Sequence, residues 1–252
     1  MGRVFDSAFA RLYEQWLSSP EGISLDRLST ELIMRLLQPK RGERVLDIGC
    51  GTGNHLLVFY RIGLDVTGLD ASSYMLDIAR SRLGRRASLE LGRAEDLPFD
   101  DNEFDITTLI LTLEFLDDPL AALQEAGRVT RDRIFVGVLN SLSVGCILKK
   151  LAALFHHSMF QGLHTFTLWG LTGLVKKAYG EAPIKWGSVQ MVPFLPMRHK
   201  GGIERSSLLQ SQPYGTFLGL ACTMTYTLKT SYISVIEKTK KGADSIARSS
   251  GF

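Results

Sequence analysis

The run Val45-Leu46-Asp47-Ile48-Gly49-Cys50-Gly51-Thr52-Gly53 sets an acid inside an apolar stretch that ends in three glycines at alternate positions. Glycine adopts φ > 0 freely and carries no Cβ, so a backbone built this way turns tightly and comes close to a ligand. Residues 54–61 can continue as a helix whose first N–H groups face that ligand. Strand, glycine turn and helix in this order open the nucleotide side of a doubly wound α/β sheet. A dinucleotide fingerprint would run G-x-G-x-x-G, with pyrophosphate on the helix N-terminus. Here Asn54 stands where the third glycine belongs. Asp47 would repel a pyrophosphate, whereas it suits a ligand that carries an ammonium group and no phosphate. Asp70 lies seventeen residues beyond Gly53, at the end of the strand-like stretch 66–69. An acid at that place can accept both ribose hydroxyls. Taken alone, Asp70 reads as an ordinary acid near a helix N-terminus; behind Asp47 and the glycines it reads as a ligand contact.

The elements that must position these residues follow the doubly wound pattern. Strands are expected near 44–48, 66–69, 87–91, 105–111 and 133–138, with further strand-like stretches at 184–191 and 216–228. Together they make a seven-stranded, mostly parallel sheet, with the last pair antiparallel. Ser72 or Ser73 offers an N-cap for a helix through Leu83 that stops at Gly84. Thr167 and Gly180 bracket a helix over Leu168–Tyr179. An N-terminal helical cap over about 7–38 ends at Pro39, within a cap region of 1–40. The polar, basic tail from Lys238 to Phe252 is expected to fray.

Composition narrows the classes. At 252 residues and 45% hydrophobic content, one α/β domain spanning 1–252 with an insertion is the natural expectation. A net charge of +3 is too small to point to nucleic acid. Cys50, Cys146 and Cys222 are far apart with no C-x-x-C pairing, which argues against zinc and against a disulfide framework. No metal site is expected. No early apolar segment of signal-peptide type and no run of 18 apolar residues occurs. A cytoplasmic protein without a transmembrane segment is the resulting expectation. No coiled-coil pattern speaks to oligomeric state.

Beyond the glycine loop, Gly92-Arg93-Ala94-Glu95-Asp96-Leu97-Pro98-Phe99, Asp101-Asn102-Glu103-Phe104-Asp105, Leu113-Glu114-Phe115-Leu116-Asp117-Asp118-Pro119 and Leu123-Gln124-Glu125-Ala126-Gly127-Arg128-Val129 form a continuous series. Over residues 11 to about 138 the chain resembles the class I S-adenosylmethionine-dependent methyltransferases, in the type 11 group that includes the ubiquinone/menaquinone methyltransferases. Tyr13, Trp16 and the Ser19-Pro20-Glu21-Gly22 turn resemble the aromatic N-terminal cover of many members. The resemblance implies a Rossmann-like methyltransferase fold and S-adenosylmethionine as cofactor, with S-adenosylhomocysteine as product. It also implies cofactor contacts from Tyr13, Asp47, Gly49, Cys50, Gly51, Thr52, Gly53, Asp70, Ala71, Met75, Ala94, Glu95 and Ile110. Two departures stand out. Members commonly carry an acid before the third-motif alanine, where it meets the adenine amino group; this chain has Arg93. The adenine contact then falls to the Ala94 backbone and Glu95, or is made differently. Members near the ubiquinone branch often have His or Arg where this chain has Glu114, so that branch's acceptor does not carry over.

Residues 139–168 are the expected substrate lid. Their helical period sets Ile147, Leu148, Leu151, Leu154 and Phe155 on one face. An amphipathic surface helix, or an interfacial helix using Lys149 and Lys150, are the other readings. Methyl transfer from a sulfonium is an in-line displacement with a good leaving group, so holding the acceptor in near-attack geometry supplies much of the rate. A general base is needed only if the acceptor loses a proton; the candidates are Glu114, His156, His157, His164 and His199, with Glu114 preferred. A small-molecule acceptor is expected. The alternatives are a cofactor-binding protein without turnover and, on a similar sheet, an NAD(P)-dependent oxidoreductase.

Overall fold

The computed structural model describes residues 5–143, 164–189 and 210–224. Seven strands form one sheet in the order β3-β2-β1-β4-β5-β7-β6. They are β1 (Arg44–Ile48), β2 (Asp65–Asp70), β3 (Ser88–Leu91), β4 (Phe104–Ile110), β5 (Thr130–Leu139), β6 (Ile184–Val189) and β7 (Phe217–Thr223). β1 to β5 pair in parallel, while β7 runs antiparallel to both β5 and β6. The expected seven-stranded Rossmann-like architecture is therefore the observed one. Chain order reverses between β1 and β4, and in such sheets a crevice for ligand opens at the carboxyl ends of the strands on either side of that point.

Both faces of the sheet are covered, which explains why β1 and β4 are buried nearly throughout. Period-two alternation assigns each residue a side. Ile134, Val136 and Val138 join the core beneath α5 (Pro119–Val129) and α6 (Leu168–Tyr179). Phe135, with Phe217 and Ala221, joins the opposite core beneath α2 (Pro20–Leu37), α3 (Asn54–Arg61) and α4 (Ser73–Leu83). The caps read from sequence are in place: Thr167 Oγ1 accepts from Gly170 N–H at 3.0 Å, and Ser72 Oγ accepts from Met75 N–H at 3.3 Å.

Two helices precede the sheet, over the span expected for the N-terminal helical cap. Helix α1 (Ser7–Leu17) ends at Ser18, and Ser19 caps α2 by accepting from Gly22 N–H at 3.1 Å, with Pro20 opening the helix. Gly22 is required because a Cβ there would sit 2.1 Å from the carbonyl oxygen of Trp16. At its far end α2 is fastened to β5 by Arg133, whose guanidinium donates to the carbonyls of Leu37 and Gln38 and to Glu43.

The two flanks of the expected lid lie side by side. Ser141 N–H donates to Phe166 O at 2.9 Å, and Asn140 Nδ2 donates to Pro213 O at 2.7 Å and Gly215 O at 2.9 Å. Residues 144–163, including Ile147 to Phe155, His156 and His157, lie outside the described residues, as do His199 and the tail from 238. The ends expected for the last two strands, 190–191 and 225–228, also lie outside them. No described helix is long and apolar enough to cross a membrane.

Candidate functional site

The site is built where β1 and β2 end. Buried Asp47 accepts from Thr108 Oγ1 at 2.6 Å, a bond from the neighbouring strand that fixes its carboxyl. Gly49 follows with φ +73°, and its N–H donates to Leu69 O at 2.7 Å. A Cβ on Gly49 would lie 2.5 Å from Thr112 Cγ2. Gly51 has φ +53° and faces open space; the nearest atom to a Cβ there is a Tyr13 ring carbon at 4.0 Å. Its N–H donates to Asp70 Oδ2 at 2.8 Å, while Asp70 Oδ1 accepts from Ser72 N–H at 2.8 Å. Asp70 thus braces the glycine turn from β2. Gly53, with φ +79°, caps α3 without a side-chain bond, which leaves the first N–H groups of that helix available.

Electrostatics follow from burial. Desolvation raises the Asp47 pKa to about 7, opposed by the Thr108 hydroxyl and reinforced by the charge of Asp70. Asp70 is raised for the same reason, and the N–H bonds from Ser72, Gly51 and Ala71 pull it back. Tyr13 is held protonated by burial and by the fields of Asp26, Asp47, Glu14 and Asp70. The turn is thus an electronegative concavity with the Tyr13 ring beside it, and complementary to cationic groups.

A cavity of about 80 Å³ opens beside this turn, lined by Phe5, Asp70, Ala71, Ala94, Glu95 and Phe115 among others. Leu111 also borders it in the left-handed region at φ +54°, a conformation that costs a non-glycine residue of order 1 kcal/mol and recurs at functional sites. A larger hollow of about 230 Å³ lies at the opposite edge, between Leu37, Lys40, Arg133, Lys185 and Cys222. Size does not decide between them. The smaller one is lined by Gly49 of the turn and by the strand-end acid Asp70, at the crevice where this topology binds ligands.

The structure brings together most of the residues expected from sequence. Gly49, Asp70, Ala71, Ala94 and Glu95 line the cavity, and Asp47, Gly51 and Tyr13 flank it. Others point elsewhere. The sulfur of Cys50 packs against Gly68 in the core, where burial raises its pKa. Met75 and Ile110 are buried beside the site without lining the cavity, and Thr52 Oγ1 accepts from Arg82 Nη1 at 2.8 Å. Glu114 is buried behind the wall. Its Oε1 accepts from Leu139 N–H at 2.6 Å and its backbone carbonyl accepts from His164 N–H at 3.2 Å. Desolvation raises its pKa to about 7.

Two contributors were not read from the sequence. Phe5 covers the cavity: its carbonyl accepts from Ser72 Oγ at 2.6 Å, and its ring stacks on Phe9 at 4.0 Å and meets Phe115 edge-on at 4.8 Å. Arg82 joins the cover to the cradle, donating to Thr52 O at 2.6 Å and to Glu14 Oε2 at 2.7 Å. Neither has a local signal: Ser72 is 67 residues from Phe5, and Thr52 and Glu14 are 30 and 68 residues from Arg82. Arg82→Ala should cost about 1–3 kcal/mol of stability, the value of charge-assisted bonds to part-buried groups. Hydrogen exchange checks it: α1 amides should exchange faster while β1 amides keep wild-type rates. Part-buried His55 was also passed over; its buried Nε2 has no hydrogen bond, Asp26 Oδ1 is 3.9 Å away, and desolvation lowers its pKa.

Residues 46–134, which hold the turn, both strand-end acids and the cavity wall, match the family model of a methyltransferase domain. By that match, residues 46–134 form a methyltransferase domain. Demethylmenaquinone methyltransferase of Staphylococcus carnosus is 36% identical to it over 104 residues, 39% of this chain and 43% of that protein. The chain spans about two fifths of the length of the first curated relatives it matches. Among solved structures, a SAM-dependent methyltransferase of Thermotoga maritima superposes with TM-score 0.65 at 22% identity, covering 87% of this chain and 98% of that one. The [4+2]-cyclase SpnF superposes with TM-score 0.59 at 23% identity over 80% of this chain and 81% of its own. These likenesses establish the methyltransferase fold. The cyclase is a reminder that a fold does not by itself fix the reaction carried on it.

Proposed function

We propose that the protein binds S-adenosylmethionine in the cavity beside the glycine turn and transfers its methyl group to a small-molecule acceptor. The observation that carries this reading is the pair of desolvated acids, Asp47 and Asp70, around a turn that is open at Gly51. Such a turn disfavours phosphate and favours a ligand that is cationic at one end and carries a ribose. The cofactor supplies an electrophilic methyl on a positively charged sulfur. Asp47 lies on the side suited to its ammonium group, and Asp70 on the side suited to its ribose hydroxyls. The backbone of Gly49–Gly53 offers close approach, and Tyr13 excludes water from above. Phe5 covers this cavity, so admitting the cofactor requires Phe5 to shift outward. Rate enhancement comes mainly from holding acceptor and methyl in line in a dry site.

Glu114 enters this scheme as a positioning residue, because its carboxyl fixes the end of β5 and does not border the cavity. Glu114→Gln keeps the acceptor for Leu139 N–H and should fold with wild-type stability at pH 8, whereas Glu114→Ala should lose about 1–3 kcal/mol. Thermal melts read both. A fall in kcat of more than about a hundredfold in the stable Gln variant would return Glu114 to an acid–base role.

Calorimetric titration with S-adenosylmethionine, S-adenosylhomocysteine and NAD tests the cofactor. Binding of NAD with neither methionine compound overturns the reading. Labelled cofactor incubated with a cell extract then asks whether any acceptor takes up the methyl group. Cofactor binding without such transfer would favour the second reading, a cofactor-dependent protein that does not methylate, to which the cyclase neighbour gives weight.

A further inference from the structure

The second hollow lies at the opposite ends of the strands from the glycine turn, and strand register explains why it is there. Arg133 and Phe135 share a face of β5, Phe135 pairs with Ala221 of β7, and Ala221 pairs with Lys185 of β6. Arg133, Ala221 and Lys185 therefore stand on the face that α2 covers. The helix ends beside them: Gln38 is left-handed at φ +49°, and Pro39 and Lys40 carry the chain onward. Beyond its last turn a hollow of about 230 Å³ is left, with the small side chain of Ala221 in its lining and Lys40 and Lys185 among its walls. The guanidinium of Arg133 is fully engaged, donating to the carbonyls of Leu37 and Gln38 and to Glu43 and Asp132. The two lysines are not. Both are exposed, and neither ammonium group forms an ion pair or a hydrogen bond with a described residue.

The acids beside the hollow, Asp132 and Glu43, are both committed to Arg133, so the two ammonium groups have no carboxylate of their own. Charges of one sign around a concavity focus their field there and concentrate the opposite ion. The donor set also selects the kind of anion. A carboxylate is best held by the planar fork of an arginine, and the fork of Arg133 is turned to protein groups. Lysines act as point charges, which suits the three-sided charge of a phosphate. A phosphomonoester carries about −1.5 to −2 near neutrality, enough to match two ammonium groups. The hollow, at about 230 Å³, is smaller than the usual pocket for a drug-sized ligand, so its occupant is a phosphate with few further atoms. We propose that this hollow is a second binding site, which takes a small phosphate-bearing anion between Lys40 and Lys185. The site is independent of the cofactor reading, and its occupant would lie against the residue that fastens α2 to the sheet.

Calorimetric titration of the full chain with inorganic phosphate, glycerol 3-phosphate and malonate, at pH 8 and fixed ionic strength in chloride, tests this. Wild type should bind both phosphates saturably and malonate several-fold more weakly. The double variant Lys40→Gln/Lys185→Gln should lose about tenfold or more in phosphate affinity. Arg85→Gln/Arg86→Gln, which removes the same charge from the turn after α4, should keep wild-type affinity. Phosphate should raise the melting temperature of wild type and of the arginine variant but not of the lysine variant, since a ligand of the folded state stabilises it. Circular dichroism shows that both variants are folded. Tighter binding of the ester supports the site with a phosphorylated small molecule as occupant, and tighter binding of inorganic phosphate supports it with the free ion. Absence of saturable binding by either phosphate overturns the site, as does an affinity unchanged in the lysine variant or an equal loss in both double variants. Malonate binding as tight as phosphate overturns the choice of anion.

Discussion

Gly49→Ala is expected to weaken S-adenosylhomocysteine binding by about a hundredfold or more and to destabilise the fold by about 2–4 kcal/mol. Two costs add. The backbone sits at φ +73°, a region that penalises any Cβ by about 1 kcal/mol. The new methyl would also lie 2.5 Å from Thr112 Cγ2 and 2.6 Å from its Oγ1. Thr112 cannot step aside cheaply, because its hydroxyl is held by the carbonyls of Ile48 and Ile110. Relief must come from the turn itself, which would displace the N–H groups facing the ligand. Gly51→Ala is the informative contrast. Its Cβ meets nothing closer than 4.0 Å, so stability should fall only by the backbone penalty while affinity falls further, because the methyl occupies ligand space. Urea melts and calorimetry on both variants separate the two effects. Wild-type affinity in Gly49→Ala would mean that the ligand does not rest on this turn.

The cradle was legible in the sequence because its causes are local. Asp47, the glycines and Asp70 are set by strand ends and a turn, and the helix over Leu168–Tyr179 is announced at both ends by Thr167 and Gly180. What escaped depends on distant pairing. Strand β5 begins at Thr130 rather than 133, because its first residues pair with Phe104 across an irregularity in register that nothing in its own composition announces. The cavity's cover by Phe5 needs Ser72, and the hold on α1 needs Arg82, which in sequence is one more basic residue in the last turn of a helix. Glu114 shows the converse. Its place after β4 was foreseen, yet its burial and its bond to Leu139 N–H follow from how β5 ends.

Cofactor binding should tighten as pH rises from 6 to 8, with a proton released from Asp47. Burial holds this carboxyl at about 7 in the free protein, so below neutrality it is largely protonated and offers the ligand no charge. An ammonium and a sulfonium nearby favour the ionised form, so binding and deprotonation are linked. Each pH unit below 7 should cost up to about tenfold in Kd, since one unit of proton work is worth 1.36 kcal/mol. Asp47→Asn should bind weakly and lose this dependence, which separates it from titration of the ligand's own amino group. Stability has the opposite sign in the free protein. Asp47 and Glu114 both keep their protons to about pH 7, whereas the unfolded chain releases its own near pH 4. The free protein should therefore lose stability as pH climbs between those values, and saturating ligand should restore the part that belongs to Asp47. Calorimetry in buffers of different ionisation enthalpy counts the protons; a count of zero at pH 6.5 would remove Asp47 from the linkage.

The guanidinium of Arg82 touches the turn at Thr52 and the covering helix at Glu14. A ligand passing beneath that helix in either direction has to part this double attachment, so arrival and departure are slowed together. The rate at which a ligand held there exchanges, more than its equilibrium affinity, is then the quantity this one side chain governs.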